Sequence, residues 1–212
     1  MLNKKLLAIF SFVTILSSSN VFAKTEGNYF GVDLIRSNAK FKSNGEYVFS
    51  STSRSVGYEG TLLRSAGNSW GLNYKHAFNL GNDVFIAPGI FFERNDIKAD
   101  TGGAGQVKIK NRRGIKLDLG YDVDANSAIY VTTGWGQMSY GSEITRFFPR
   151  EVLRPNKYDN GMFYGIGIAH NINKDFATNL EFTTQTAKID AGYSNSFKTD
   201  LRVVKVGASY RF

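Results

Sequence analysis

No cysteine occurs in the 212 residues, which excludes disulfides, thiolate nucleophiles and thiolate metal sites. Histidine is nearly as scarce. His76 and His170 are the two in the chain, and no His, Asp or Glu cluster has the spacing of a metal site. Of the three prolines, Pro149 and Pro155 flank one polar segment, and Pro88 interrupts an otherwise strand-like run. Apolar runs are short. The longest, Leu6–Leu16, follows Lys4 and Lys5 and precedes Val21-Phe22-Ala23. A membrane helix needs about 20 apolar residues, so this stretch is expected to be a secretory signal peptide, residues 1–23, cleaved after Ala23. That leaves residues 24–212 as one domain with no apolar run long enough for a membrane helix.

Alternation fills the rest. Val204, Val206, Ala208, Tyr210 and Phe212 fall on one face of a strand, with Lys205, Gly207, Ser209 and Arg211 on the other. The same period of two recurs upstream. Phe176–Gln185, Met162–Ala169, Ile129–Gly136, Gly114–Val123, Val84–Glu93, Trp70–Phe78 and Phe30–Ile35 each have one apolar face and one polar or glycine-rich face. Ile35 breaks its own pattern. Eight strands are therefore predicted. The connections also alternate: Asn79–Asn82, Asp124–Ser127 and Asn171–Asp175 are short and rich in turn residues. Lys40–Asn68, Asn95–Arg113, Gly141–Asn160 and Thr186–Arg202 are long and polar. Aromatics gather at strand ends: Phe30, Phe78, Tyr121, Phe176, Tyr210 and Phe212 towards the short turns, and Trp70, Phe92, Trp135 and Tyr164 towards the long segments. Such girdles mark membrane interfaces. Pro88 cannot donate to a ladder, so a bulge or local break is expected beside it.

With these features the chain resembles the small eight-stranded outer-membrane barrels of the OmpA and OmpX type, also grouped as porin family proteins. The resemblance rests on pattern across residues 24–212; only the last strand is motif-like. It implies a closed, all-β, antiparallel up-and-down barrel in the outer membrane, with short periplasmic turns, long extracellular loops and both termini in the periplasm. Tyr210 and Phe212 then form the terminal signal read by the barrel-assembly machinery. No peptidoglycan-anchoring domain of the OmpA kind is expected after Phe212. Some members act in adhesion or serum resistance.

Eight strands enclose a lumen just wide enough for side chains. Parity sends Asp33, Lys75, Glu93, Lys116, Asp118, Glu181 and Lys205 into it, with Asn73, Asn179 and Arg211. Opposite charges so confined should pair, giving a structural plug; a narrow, gated pore for small solutes or ions is the alternative. Catalysis of the lipid-modifying kind needs Ser, His and a carboxylate in reach of one another. Parity puts both histidines outside near short turns, and neither has a serine two residues away in its strand. No enzyme and no cofactor are predicted. Gly102–Gly105 lacks the Lys-Ser/Thr and helix of a phosphate loop.

The formal charge is +8, or +6 without Lys4 and Lys5, and every long polar segment is net positive. Lipopolysaccharide phosphates in the surrounding leaflet or an acidic host surface are the anionic partners this favours; nucleic acid is not expected of a surface protein. Arg146, Phe147, Phe148, Arg150 and Arg154 combine residue types common at binding hot spots. The alternative is that Phe147, Phe148, Val152 and Leu153 touch lipid or pack under neighbouring loops, with packing favoured. The long segments around Tyr47–Phe49 and Val56–Leu63 also alternate, so the strands can continue as a protruding sheet. The reading is a monomeric surface protein that works by adhesion or binding through basic loops.

Overall fold

The computed structural model describes residues 25–49, 54–100, 105–145, 152–153, 156–192 and 195–212. The proposed signal peptide and the residues Arg146, Phe147, Phe148, Arg150 and Arg154 lie outside them. Nine strands follow in order: β1 (Gly27–Phe49), β2 (Arg54–Gly81), β3 (Val84–Asp100), β4 (Gly105–Asp122), β5 (Ser127–Thr145), β6 (Val152–Leu153), β7 (Asn156–Asn171), β8 (Phe176–Gly192) and β9 (Asn195–Arg211). The two-residue β6 only pairs with the end of β5. The other eight each pair antiparallel with two neighbours, and β1 against β9 closes the circuit. The eight strands predicted from alternation thus form the closed barrel that the resemblance implied.

The strands are staggered as closure requires. A row of paired residues leaving Trp70 runs through Leu34, Val206, Leu180, Ile168, Ile129, Tyr121 and Val84 and returns to β2 at Gly81, not at Trp70. Short turns follow from local chemistry. Asn82 and Asp83 both have positive φ, 51° and 64°, the pair of left-handed residues that a two-residue type I′ hairpin needs. Asp124 accepts the backbone N–H groups of Asn126 and Ser127, each at 2.7 Å. Asn173 does the same for Asp175 and Phe176 at 2.8 Å. The bond from the Asn126 N–H, the largest of several causes, holds the Asp124 carboxyl below its ordinary range. Its stabilisation of the turn is thus present above the unfolded carboxylate pKa and fades as pH falls through the lower, folded one.

Pro88 produces a local break and no bulge. The β2–β3 ladder is paired at Lys75↔Gly89 and again at Phe78↔Ile86, in one register, with His76 and Ala77 unpaired between them. On its other side Pro88 still pairs with Leu117.

The long polar segments are strand over most of their length. For β1 and β2, paired out to Phe49↔Arg54, this is the protruding sheet expected from alternation. β3 and β4, paired to Asp100↔Gln106, and β8 and β9, paired to Gly192↔Asn195, extend in the same way where loops were expected. A transmembrane strand needs about 9–11 residues; here the eight strands have 16 to 28. Beyond the apolar band they continue as a sheet, held by the same ladder.

Candidate functional site

Outward positions form a broad apolar band. Leu34, Ile115, Ile129, Val131, Ile166, Phe182 and Val206 are all exposed, Leu34 at 71%. All ten girdle aromatics are exposed too. In water so large an apolar surface would aggregate; against lipid it is the stable arrangement.

The interior has three layers. In the middle, ion pairs run in a chain down the barrel. Arg112 Nη1 donates to both Glu93 oxygens, at 3.1 and 2.9 Å. Lys205 Nζ bridges Glu93 at 2.8 Å and Glu181 at 2.9 Å. Lys116 joins Glu181 at 2.7 Å and Asp118 at 3.2 Å, and Lys75 meets Asp118 at 3.2 Å. Asp33 stands beside this chain, accepting from Asn73 Nδ2 at 2.7 Å. Four cations (Arg112, Lys205, Lys116, Lys75) thus face four anions (Glu93, Glu181, Asp118, Asp33). The structure brings together seven of the charged residues picked out by parity and adds Arg112; the eighth, Arg211, lies over the Tyr29 ring at the short-turn end. Burial makes this balance obligatory: an unpaired charge here would cost several kcal/mol.

Arg112 is fully buried, and its position explains the layer's rigidity. Its Nε donates to Gln185 Oε1 at 2.7 Å, and Gln185 Nε2 donates onward to the carbonyls of Gly136 and Gly161. The guanidinium lies over the Phe91 and Phe163 rings, at 4.9 and 4.8 Å from their centroids, a cation–π arrangement favoured where water is excluded. Arg112 falls within a segment read from sequence as loop, and Gln185 closes a strand as a neutral residue, so neither drew notice. Continuing the β4 parity of Gly114, Lys116 and Asp118 by one step would have found Arg112.

Glycines make room for the rings. A Cβ on Gly167 would lie 2.3 Å from Tyr130 Cζ, and one on Gly120 would lie 2.2 Å from Phe85 Cζ. Gly120, Gly134 and Gly167 are therefore seats for aromatic edges, while the space at Gly31, Gly136 and Gly207 is filled by Asn73, Gln185 and Asn179.

Above the charges, towards the long connections, lies an apolar layer: Ile35, Phe41, Ile97, Ile109, Met138, Tyr140, Leu201 and Val203 are buried together. It accounts for Ile35, whose inward direction looked anomalous only because the lumen was taken as polar throughout. Below, at the short-turn end, Tyr29, Phe85, Tyr130 and four alanines close the interior. Thr25 adds to that closure: its N–H and hydroxyl donate to the Asp122 carboxylate, at 3.2 and 2.6 Å. A cavity of about 20 Å³ lies at this end, beside Thr25, Lys75 and Lys116. It holds about one water.

The histidines sit at the rim of the short-turn end. His76 Nδ1 faces Asn28 Oδ1 at 2.9 Å, and His170 Nδ1 faces Ser127 Oγ at 3.2 Å. That second contact, made across strands, was invisible to a search along one strand. The nearby Asp124 carboxylate accepts from the backbone N–H groups of Asn126 and Ser127 and also interacts with the Ser127 side chain and His170. Among the described residues no group of His, Asp and Glu could hold a metal ion.

A closed antiparallel barrel with lipophilic walls and a filled polar interior defines an integral membrane β-barrel. Residues 8–212 match the family model for the outer membrane protein beta-barrel domain, and the chain belongs to that family. It is therefore an integral protein of the bacterial outer membrane. Similar solved structures include OprG of Pseudomonas aeruginosa, at 11% identity over 91% of this chain and 99% of that one, with a TM-score of 0.51. The outer membrane protease OmpT of Escherichia coli is 10% identical over 92% and 100%, TM-score 0.53. Ail, the attachment invasion locus protein of Yersinia pestis, in complex with the heparin analogue sucrose octasulfate, is 13% identical over 89% and 100%, TM-score 0.48. At such identities the likeness is one of fold. No curated protein matches the chain significantly in sequence.

Proposed function

We propose that the protein is a sealed, non-catalytic surface barrel that works by binding: its strand extensions lift basic connections away from the outer membrane towards acidic partners. The observation that carries this reading is the filled interior. An apolar layer, a balanced ion-pair chain and an aromatic base follow one another down the lumen, with a cavity for about one water at the short-turn end. Nothing in that arrangement suits a permeating ion, which needs a continuous polar path. The pore alternative accordingly gives way to display of the outer end.

Charge supports that direction. Arg36, Lys40, Arg64, Arg94, Lys98, Arg113, Lys198 and Arg202 are exposed or half-buried beyond the band at the long-connection end, against Asp96, Asp159 and Asp200. Asp96 is matched by Lys98 at 3.1 Å and Asp200 by Lys42 at 3.4 Å. In this reading the long-connection end is extracellular, the short turns and both termini are periplasmic, and Tyr210 and Phe212 serve barrel assembly. Across the apolar band the ladder closes on itself and leaves no edge there to pair with another copy, consistent with a monomer.

Refolded residues 24–212 in a planar bilayer are expected to give no single-channel steps while a heat-sensitive gel shift shows the barrel folded. Steady, reproducible conductance would overturn the sealed reading. Orientation has its own test, made clean by the absence of cysteine. Lys98→Cys on intact cells is expected to react with an impermeant maleimide and Ala125→Cys to stay unlabelled; the opposite pattern would invert the assignment.

A further inference from the structure

The first outward-facing residue beyond the apolar band is a hydrogen-bond donor on every strand. It is Arg36 on β1, Asn68 on β2, Arg94 on β3, Arg113 on β4, Gln137 on β5, Asn160 on β7, Thr184 on β8 and Arg202 on β9. Four are arginines, and no carboxylate stands in the ring. The opposite edge of the band has no such ring: its turns carry Asp83, Asp124 and Asp175 against Lys174. An arginine ring one side-chain step beyond a membrane interface lies at the level of lipid phosphates.

The ring is densest on β3 and β4. Arg94 pairs directly across from Trp70, and Arg113 directly across from Phe92, so the two arginines are diagonal neighbours above two aromatics. The Trp70 and Phe92 rings touch edge to face, with centroids 6.5 Å apart. Arg113 Nε and Nη2 donate to Gln137 Oε1, at 3.0 and 2.8 Å. An amide orients that guanidinium without neutralising it. Among the described residues no carboxylate pairs with Arg94, since the nearby Asp96 is engaged by Lys98. Beside them a hollow of about 650 Å³ is lined by Trp70, Phe92, Arg94, Asp96, Lys108 and Lys110, within the range of small-ligand sites. Its floor is continuous with the apolar band and its rim is cationic. That profile matches an amphiphile with a doubly charged head.

We propose that the β2–β3–β4 face binds the phosphorylated headgroup of an outer-leaflet glycolipid. Arg94 and Arg113 hold a phosphomonoester through their planar forks, and the acyl chains lie along Trp70, Phe92 and Ile115. Arginine suits the role because its fork meets two phosphate oxygens at once. The site rests on the orientation proposed above only for which leaflet supplies the lipid; binding by purified protein does not depend on it.

The probe is bis-phosphorylated lipid A added to the refolded protein in detergent, followed by native mass spectrometry and thermal unfolding. Lipid A is expected to bind the wild type and raise its Tm. Arg94→Gln/Arg113→Gln is expected to weaken binding about 10- to 100-fold, as losing two charge-assisted contacts implies. Arg202→Gln, on β9 across the barrel from β4, should change it less than about threefold. Equal binding of fully dephosphorylated lipid A, or of phosphatidylglycerol, would overturn the phosphomonoester assignment, as would an unchanged β3–β4 variant. Saturation by inorganic phosphate at the same concentration would show a simple anion site and overturn the lipid one. Should the double glutamine variant fail to fold, Arg94→Lys/Arg113→Lys keeps the charge but loses the fork, and it must show the same direction of effect.

Discussion

Replacing Glu93 with alanine is expected to destabilise the barrel by about 3–5 kcal/mol, the usual cost of removing one partner from a buried ion pair. Glu93 is 1% exposed and is the only carboxylate, among the described residues, that contacts both Arg112 and Lys205. Without it two cations face each other in a dry lumen. Lys205 can turn fully to Glu181, at 2.9 Å, but Arg112 keeps only Gln185 as an acceptor. Urea unfolding of the refolded protein in lipid vesicles, followed by tryptophan fluorescence or gel shift, measures the loss. A double variant, Glu93→Ala/Arg112→Met, should recover much of it, since a matched apolar pair removes the stranded charge as well. A cost below about 1 kcal/mol for Glu93→Ala alone would mean that water reaches this layer, against the sealed lumen.

Truncating Leu201 to alanine should cost about 2–5 kcal/mol, the range for a fully buried leucine in a core that cannot collapse. Leu201 has no exposure and lies among Ile97, Ile109, Met138 and Val203. Strands on all sides are fixed by continuous ladders, so the cavity persists. The same unfolding assay reads the change. Were the apolar layer loosely packed or wet, Leu201→Ala would cost little more than an exposed substitution, within about 0.5 kcal/mol.

The wall of the barrel was open to sequence reading because each strand's side chains obey one rule, a period of two against lipid and lumen. Val204 to Phe212 shows both faces without ambiguity, and so does Gly114 to Val123. The ion pairs followed for the same reason: Lys75, Glu93, Lys116 and Glu181 interrupt glycine-rich faces. What escaped notice lies where the two environments change. Beyond the band the outer face turns polar and the inner face apolar, inverting the contrast, so that Ile97, Ile109 and Leu201 read as scattered apolar residues in loops. A register shift between Ile109 and Asn111 switches parity there, so that Ile109 faces inward off the parity of Arg112 and Gly114. The His170–Ser127 contact depends on strand pairing, which period alone does not specify. The donor ring emerges only once strands are aligned, because its members are spread from residue 36 to residue 202.

The seam of the barrel joins β1 to β9, with Asn28 and Phe212 exchanging backbone hydrogen bonds at 3.2 and 3.0 Å. The residues that shut the cylinder are thus nearly the first and the last of the domain. Any partial assembly exposes two unpaired edges to lipid, where each unsatisfied peptide group is costly, and the contacts that remove those edges have the greatest sequence separation the chain offers. Closure of this loop is slow by its entropy alone. A chain lacking β9 is therefore expected to insert poorly, since β1 and β8 would each present an unpaired edge to lipid.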